Sequence, residues 1–150
     1  MKVSDICKRG VIAVDNTVDI TAAAELMRQQ HVGFLIVYRL GDEMRRPIGV
    51  LTDRDIVIEI VAKKVDPATV TVDDLMTRQP LVANEHEELG DVLQAMRNAG
   101  IRRVPVVDMR GALMGVVAID DAFDVITTFM CDITGSVKNE QRQERRSLAN

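Results

Sequence analysis

Two segments of the chain carry apolar residues at helical spacing: Ile20, Ala23, Ala24 and Met27, then Leu89, Val92, Leu93 and Met96. Positions i, i+3, i+4 and i+7 share one side of a helix, so each segment predicts an amphipathic helix with a single buried stripe. After each helix come two short apolar runs without alternation, at 34–38 and 48–51 and again at 104–107 and 113–117. Continuous β-branched and aliphatic runs imply strands covered on both faces. A shorter extended run precedes each helix, at 11–14 and 81–83, and a further apolar helix follows each strand pair, at 53–62 and 120–131. The predicted unit is β-α-β-β-α, written twice.

The two units are copies. A shift of 69 residues carries Val3-Ser4-Asp5-Ile6 onto Val72-Asp73-Asp74-Leu75 and holds without a gap to Tyr38 against Val107. The connection 39–47 is three residues longer than its counterpart, so Gly49 meets Gly115 at a shift of 66. This predicts an α/β (α+β) tandem duplication, with repeat 1 over 1–66, a Pro67-containing linker at about 63–70 and repeat 2 over 71–131. The segment 135–150, polar and basic, reads as a solvated helix extension or a disordered tail. Helices 53–62 and 120–131 are apolar nearly all round and therefore need two partners each. The expectation is a homodimer through both helices; the alternative is that both faces pack against the sister repeat.

Composition narrows the function classes. Hydrophobic residues make up 47% of the chain and aromatic residues 3%, so the core is aliphatic. A net charge of -4 argues against non-specific nucleic-acid binding by the body. Arg145-Arg146 in the tail is suited to touch a nucleic acid or an acidic partner, and a solubilising tail is the simpler reading. Cys7 and Cys131 stand apart from any second Cys or His at metal-ligand spacing, as reduced thiols of a cytoplasmic protein do. No secretory pattern opens the chain, and no apolar run approaches the roughly 18 residues of a membrane span. His31 and His86 read as surface or cap residues. No nucleophile–base pair or metal set emerges, which disfavours an enzyme and predicts no obligatory cofactor.

The candidate chemistry lies in Gly49-Val50-Leu51-Thr52-Asp53-Arg54-Asp55, a strand end that breaks into a Thr-x-x-Asp helix start. Thr-x-x-Asp approximates an N-terminal capping arrangement, and on its own a cap explains it. The same groups suit a nucleotide: a carboxylate accepts from a ribose diol, a hydroxyl bonds sugar or phosphate, and a helix start favours an anion. The second copy, Gly115-Val116-Val117-Ala118-Ile119-Asp120-Asp121, keeps the carboxylate and replaces Thr52 by Ala118. It also brings Arg102 and Arg103 where the first copy has Gly33 and Phe34, guanidinium groups suited to phosphate oxygens.

With Val104-Pro105-Val106-Val107-Asp108 before one strand hairpin and Gly-Val-Leu-Thr-x-x-Asp after the other, in register with the internal repeat, the chain resembles a CBS-domain pair, or Bateman module, over residues 1 to 131. The resemblance implies a pseudo-two-fold pair of repeats binding AMP, ADP, ATP or a relative between them, with no catalytic residues. It implies a first site of Thr52, Arg54 and Asp55, met by Thr77, Arg78, Pro80 and Leu81 from the segment entering the other repeat. It implies a second, weaker or more anion-directed site of Asp121, Arg102 and Arg103, met by Lys8, Arg9, Val11 and Ile12. The expected function is a stand-alone regulatory module whose ligand shifts its packing or its dimer for an unidentified protein partner to read. The alternative is a ligand-free structural or interaction protein of the same fold.

Overall fold

The computed structural model describes residues 1–148, with side chains through residue 144, which leaves the Arg145-Arg146 pair outside the described side chains. The chain divides into two compact units, Met1–Val117 and Ala118–Asn150.

In the first unit, β1 (Ala13–Asp15), α1 (Ile20–Gln30), β2 (Phe34–Tyr38) and β3 (Pro47–Thr52) lead into α2 (Asp53–Ile56), which continues as a π-helical turn, Val57–Val61. After α3 (Val72–Leu75) and β4 (Thr77–Arg78), the pattern returns as β5 (Ala83–Asn84), α4 (Leu89–Ala99), β6 (Arg103–Val107) and β7 (Leu113–Ala118). Both early strands begin two residues later than the apolar runs suggest and end one residue later. Of the predicted stripes, Ile20, Ala23 and Met27 on α1 and Leu89, Val92 and Met96 on α4 are buried, while Ala24 and Leu93 are half-buried. Asp19 caps α1 by accepting the Ala22 N–H at 2.9 Å. The helix stops where His31 turns left-handed at φ 54°, as α4 stops at Gly100. Leu35, Ile36 and Val37 of β2 are all fully buried, the continuous burial that continuous apolarity implies.

The duplication produces a reciprocal exchange. The first sheet runs β1-β2-β3-β4, with β1 and β2 parallel and β4, from the start of the second repeat, antiparallel to β3. The second sheet runs β5-β6-β7, and Lys8, from the start of the first repeat, bridges to Val116 of β7 as Thr77 does to Val50 of β3. The hydrogen bonds repeat at the same shift: Val72 N–H donates to Val18 O at 2.7 Å and Val3 N–H to Glu87 O at 2.9 Å. Asp73 N–H meets Asn16 O at 3.0 Å, and Ser4 N–H meets Glu85 O at 3.0 Å. Each repeat therefore completes its neighbour. The first core shows this directly, since Val72 and Met76 pack with Ile20, Leu35 and Leu51.

The glycines of β3 and β7 permit the crossing. A Cβ on Gly49 would lie 2.9 Å from Met76 Cγ and 3.1 Å from Thr77 O. One on Gly115 would collide with the Cys7 sulfur and the Lys8 carbonyl oxygen. Met76 and Cys7 are equivalent residues of the two repeats, so the same constraint is met twice. The longer first hairpin also has a use: Met44 in its loop accepts the Leu113 N–H at 3.1 Å, tying the loop to the second repeat.

The second unit is dominated by α5 (Ile119–Leu148), 30 residues long. The sequence suggests a helix to about Cys131 followed by a solvated helix extension or a disordered tail; one helix, Ile119–Leu148, realises the first of these. Gly135 is a single weak point, costing about 1 kcal/mol in a helix interior, and the Lys, Glu, Gln and Arg residues after it are good helix formers. Asp121 and Ala122 are buried, while every residue from 126 to 144 is exposed. Among the described residues no helix is long and apolar enough to cross a membrane. Cys7 is half-buried and Cys131 exposed, neither in a disulfide.

Candidate functional site

The junction of β3 and α2 forms a reciprocal cap. Thr52 N–H and Oγ donate to Asp55 Oδ2 at 2.9 and 2.7 Å, and Asp55 N–H donates to Thr52 Oγ at 3.2 Å. Both bonds to the carboxylate end on Oδ2, which leaves Oδ1 outside the cap. The same Thr-x-x-Asp arrangement recurs at Thr71 and Asp74, where Asp74 Oδ2 accepts Thr71 N–H at 2.9 Å and Oγ–H at 2.7 Å. That pair stands outside both clefts described below and is a cap alone. The motif by itself thus carries no ligand information; its location does.

Thr52, Arg54 and Asp55 line a cleft of about 530 Å³ together with Thr77, Pro80 and Leu81. Six of the seven residues expected at the first site therefore meet there. Arg78 does not: its guanidinium turns to Asp73, 2.8 Å away, because alternation along β4 sends it to the opposite side from Thr77. Gln79 lines the cleft in its stead, in a left-handed turn at φ 50°.

Arg102 and Arg103 also belong to this first cleft, where the sequence reading placed them only in the second. The reason is the crossing of the repeats, which lays the start of β6 beside the start of α2. The cleft thus joins a carboxylate and hydroxyl on one wall to two guanidinium groups on another, with Phe34, Val50, Ile101 and Pro105 as apolar lining. Gly33 keeps the wall low, since a Cβ there would lie 2.9 Å from the Asp53 carboxylate carbon.

A second cleft, of about 340 Å³, is lined by Lys8, Arg9, Val11 and Ile12 as expected, with Arg103 and His31. Arg102 is absent from its lining. Gly33, Phe34 and Arg103 line both clefts. Phe34 and Arg103 are equivalent residues of the two repeats, so the pseudo-two-fold places a phenyl ring and a guanidinium in matching positions. Asp121 lies in the other compact unit, where it is buried and accepts the Ala118 N–H at 3.2 Å. It retains half of the cap that Thr52 and Asp55 complete.

Pro105, which the sequence reading used only for the resemblance, lines the first cleft and is not expected there. In the first repeat, Ile36 N–H donates to Ile12 O at 3.3 Å. Pro105 stands where Ile36 does and has no N–H, so it cannot make that bond to the Leu81 carbonyl, in the wall of the first cleft. Aligning the repeats residue by residue exposes the difference. Among the described residues no cluster of three or more His, Cys, Asp or Glu side chains is arranged to hold a metal ion.

Two interleaved β-α-β-β-α repeats with a cleft on either side of their pseudo-two-fold define a duplicated α/β module. The chain belongs to the CBS domain family, whose model matches residues 3–62 and 72–128. It is 36% identical over 117 residues to Hypoxic response protein 1 of Mycobacterium tuberculosis, covering 78% of this chain and 79% of that protein. A crystal structure of Hypoxic Response Protein I, with two coordinated zinc ions, matches at a TM-score of 0.72 and 33% identity, over 83% of this chain and 98% of that one. A CBS domain protein from Pyrobaculum aerophilum, complexed with AMP, matches at a TM-score of 0.73 and 26% identity, covering 81% and 89%. A CBS domain pair complexed with 5'-methylthioadenosine and S-adenosyl-L-methionine matches at 0.72 and 26%, covering 84% and 99%.

Proposed function

We propose that the protein is a regulatory module that binds an adenosine-containing ligand in the first cleft and signals through a change in packing or assembly. The observation that carries this is the meeting of Thr52 and Asp55 with Arg102 and Arg103 in one 530 Å³ space. Asp55 Oδ1 accepts from the ribose diol while Oδ2 keeps the cap, so capping and binding coexist. The guanidinium groups of Arg102 and Arg103 take the phosphate oxygens, with Arg54 at the rim. Adenine stacks on Val50, Ile101 and Pro80, and its amino group donates to the Leu81 carbonyl that Pro105 leaves without a strand donor. The second cleft, with Lys8, Arg9 and Arg103 but no Thr52 equivalent, is an anion site of lower ribose affinity.

AMP and ADP or ATP are the ligands of choice, no catalytic step is assigned, and the protein partner is a second copy meeting it through helices 53–62 and 120–131. The AMP and S-adenosyl-L-methionine complexes of related CBS structures support the ligand class. Calorimetric titration of AMP, ADP, ATP and S-adenosyl-L-methionine is the test. Binding by the wild type, weakened at least tenfold in Asp55→Asn and, for the phosphorylated ligands only, in Arg102→Gln, is the expected result. Absence of binding at millimolar ligand leaves a structural or interaction protein of this fold as the reading.

A further inference from the structure

Phe34 opens β2 and Arg103 opens β6 at the same place in the two repeats, and each of them lines both clefts. Side chains that reach both sides of a pseudo-two-fold stand beside its axis. Elsewhere a duplicated module gives each cleft its own copy of a residue, but at the axis the copies are held in common. Here the common pair has diverged into a phenyl ring and a guanidinium, so among the described residues the two clefts share one cation. The other basic groups are private: Arg54 and Arg102 line the first cleft alone, and Lys8 and Arg9 the second alone.

Arg103 can serve either side. It is exposed and takes no hydrogen bond or ion pair among the described residues, whereas Arg46, Arg78 and Arg110 are each tied to an aspartate. Asp53 and Asp55 line the first cleft, while among the described residues no carboxylate lines the second. An anion is therefore what draws Arg103 toward the like charges of Lys8 and Arg9. Phosphate oxygens hold a guanidinium best when two N–H groups bond them side by side, which fixes the plane of the group. Once committed in this way to one cleft, Arg103 is withdrawn from the other. Stretched between two phosphates, it would make a single bond to each, the weaker arrangement for both.

We infer that the two clefts are antagonistic toward anions: a phosphate group held in one weakens the hold of the other on its own phosphate, through competition for Arg103. This rests on the adenosine site of the preceding reading and adds its regulation by a second anion. Coupling between two sites is reciprocal, so it can be read from either of them. Calorimetric titration of AMP at constant ionic strength, with and without millimolar pyrophosphate, is the test, and adenosine is the phosphate-free control. A hydrogen-bonded pair to a charged group accounts for roughly a tenfold change in affinity, so pyrophosphate is expected to weaken AMP about tenfold and adenosine about twofold or less. Lys8→Gln combined with Arg9→Gln, which strips the second cleft of its private cations, abolishes the effect. Arg103→Gln also abolishes it while weakening AMP itself, and circular dichroism checks that each variant is folded. Weakening that persists in the Lys8 and Arg9 variant is direct displacement from the first cleft and overturns the inference. So does AMP affinity indifferent to pyrophosphate in the wild type, or an effect that survives Arg103→Gln. Those outcomes leave the adenosine site standing, whereas failure of AMP and adenosine alike to bind overturns that reading and the inference together.

Discussion

Gly115 and Gly49 are points of close approach where the repeats cross, and they are not equivalent. A Cβ on Gly115 meets backbone of Lys8 as well as the Cys7 sulfur, while one on Gly49 meets chiefly the flexible Met76 side chain. Overpacking costs about 1–3 kcal/mol when neighbours must shift, and backbone shifts less readily than a thioether. Gly115→Ala is therefore expected to lower the melting temperature by several degrees and Gly49→Ala by less, a ranking that differential scanning calorimetry reads directly. A similar distinction governs the site. Thr52 and Asp55 are legible from the sequence because helix-start chemistry is local, whereas Thr77, Pro80 and Leu81 follow only from the resemblance to a CBS-domain pair. The placement of Arg102 in the first cleft is not, because it depends on how the repeats cross, which no local pattern encodes. Arg78 is missed for the opposite reason: strand alternation turns it away, but β4 is two residues long and leaves no apolar period to read.

At the level of elements, the segments that enter each repeat's neighbour are held at exposed ionic latches. Arg78 beside Asp73, together with the Asn16 amide, holds that carboxyl below its ordinary 3.8. The Thr71 hydroxyl and N–H do the same for Asp74. Lys2 and the N-terminal ammonium lower Glu88 below its ordinary 4.5 on the matching segment. A carboxyl depressed on folding contributes stability that is fully present above its unfolded pKa and disappears as pH falls through the folded value. The melting temperature is accordingly expected to hold steady above about pH 5 and to decline below about pH 4. Asp73→Asn together with Asp74→Asn should flatten that decline. A melting temperature that falls equally in wild type and double variant would show that the latches contribute nothing. Helices and central strands are evident from periodicity; β5 is read two residues early, and β4, two residues long, is not read at all. β4 pairs with β3 because it lies on the segment that enters the other repeat, not through a pattern of its own.

Across the molecule, neither repeat owns its core. Val72 and Met76 fill the first core from the far side of an exposed linker, and Val3, fully buried, hydrogen-bonds to Glu87 of the second repeat. A chain divided between Lys63 and Lys64, both exposed, keeps every such contact available between its two pieces. Co-expressed pieces 1–63 and 64–150 are expected to purify as a one-to-one complex that melts cooperatively, and each alone to bind hydrophobic dye. Two pieces that fold separately and ignore each other would refute the account of the exchange.

The exchange also constrains how such a chain can arise. A single repeat with its leading segment has nowhere to place that segment except on another copy, so the unduplicated polypeptide is a segment-swapped pair of identical chains with two identical clefts. Fusion of two genes into one preserves the swap and removes the requirement for identity. Ala118 opposite Thr52, Arg103 opposite Phe34 and Pro105 opposite Ile36 are divergences that only the fused form permits.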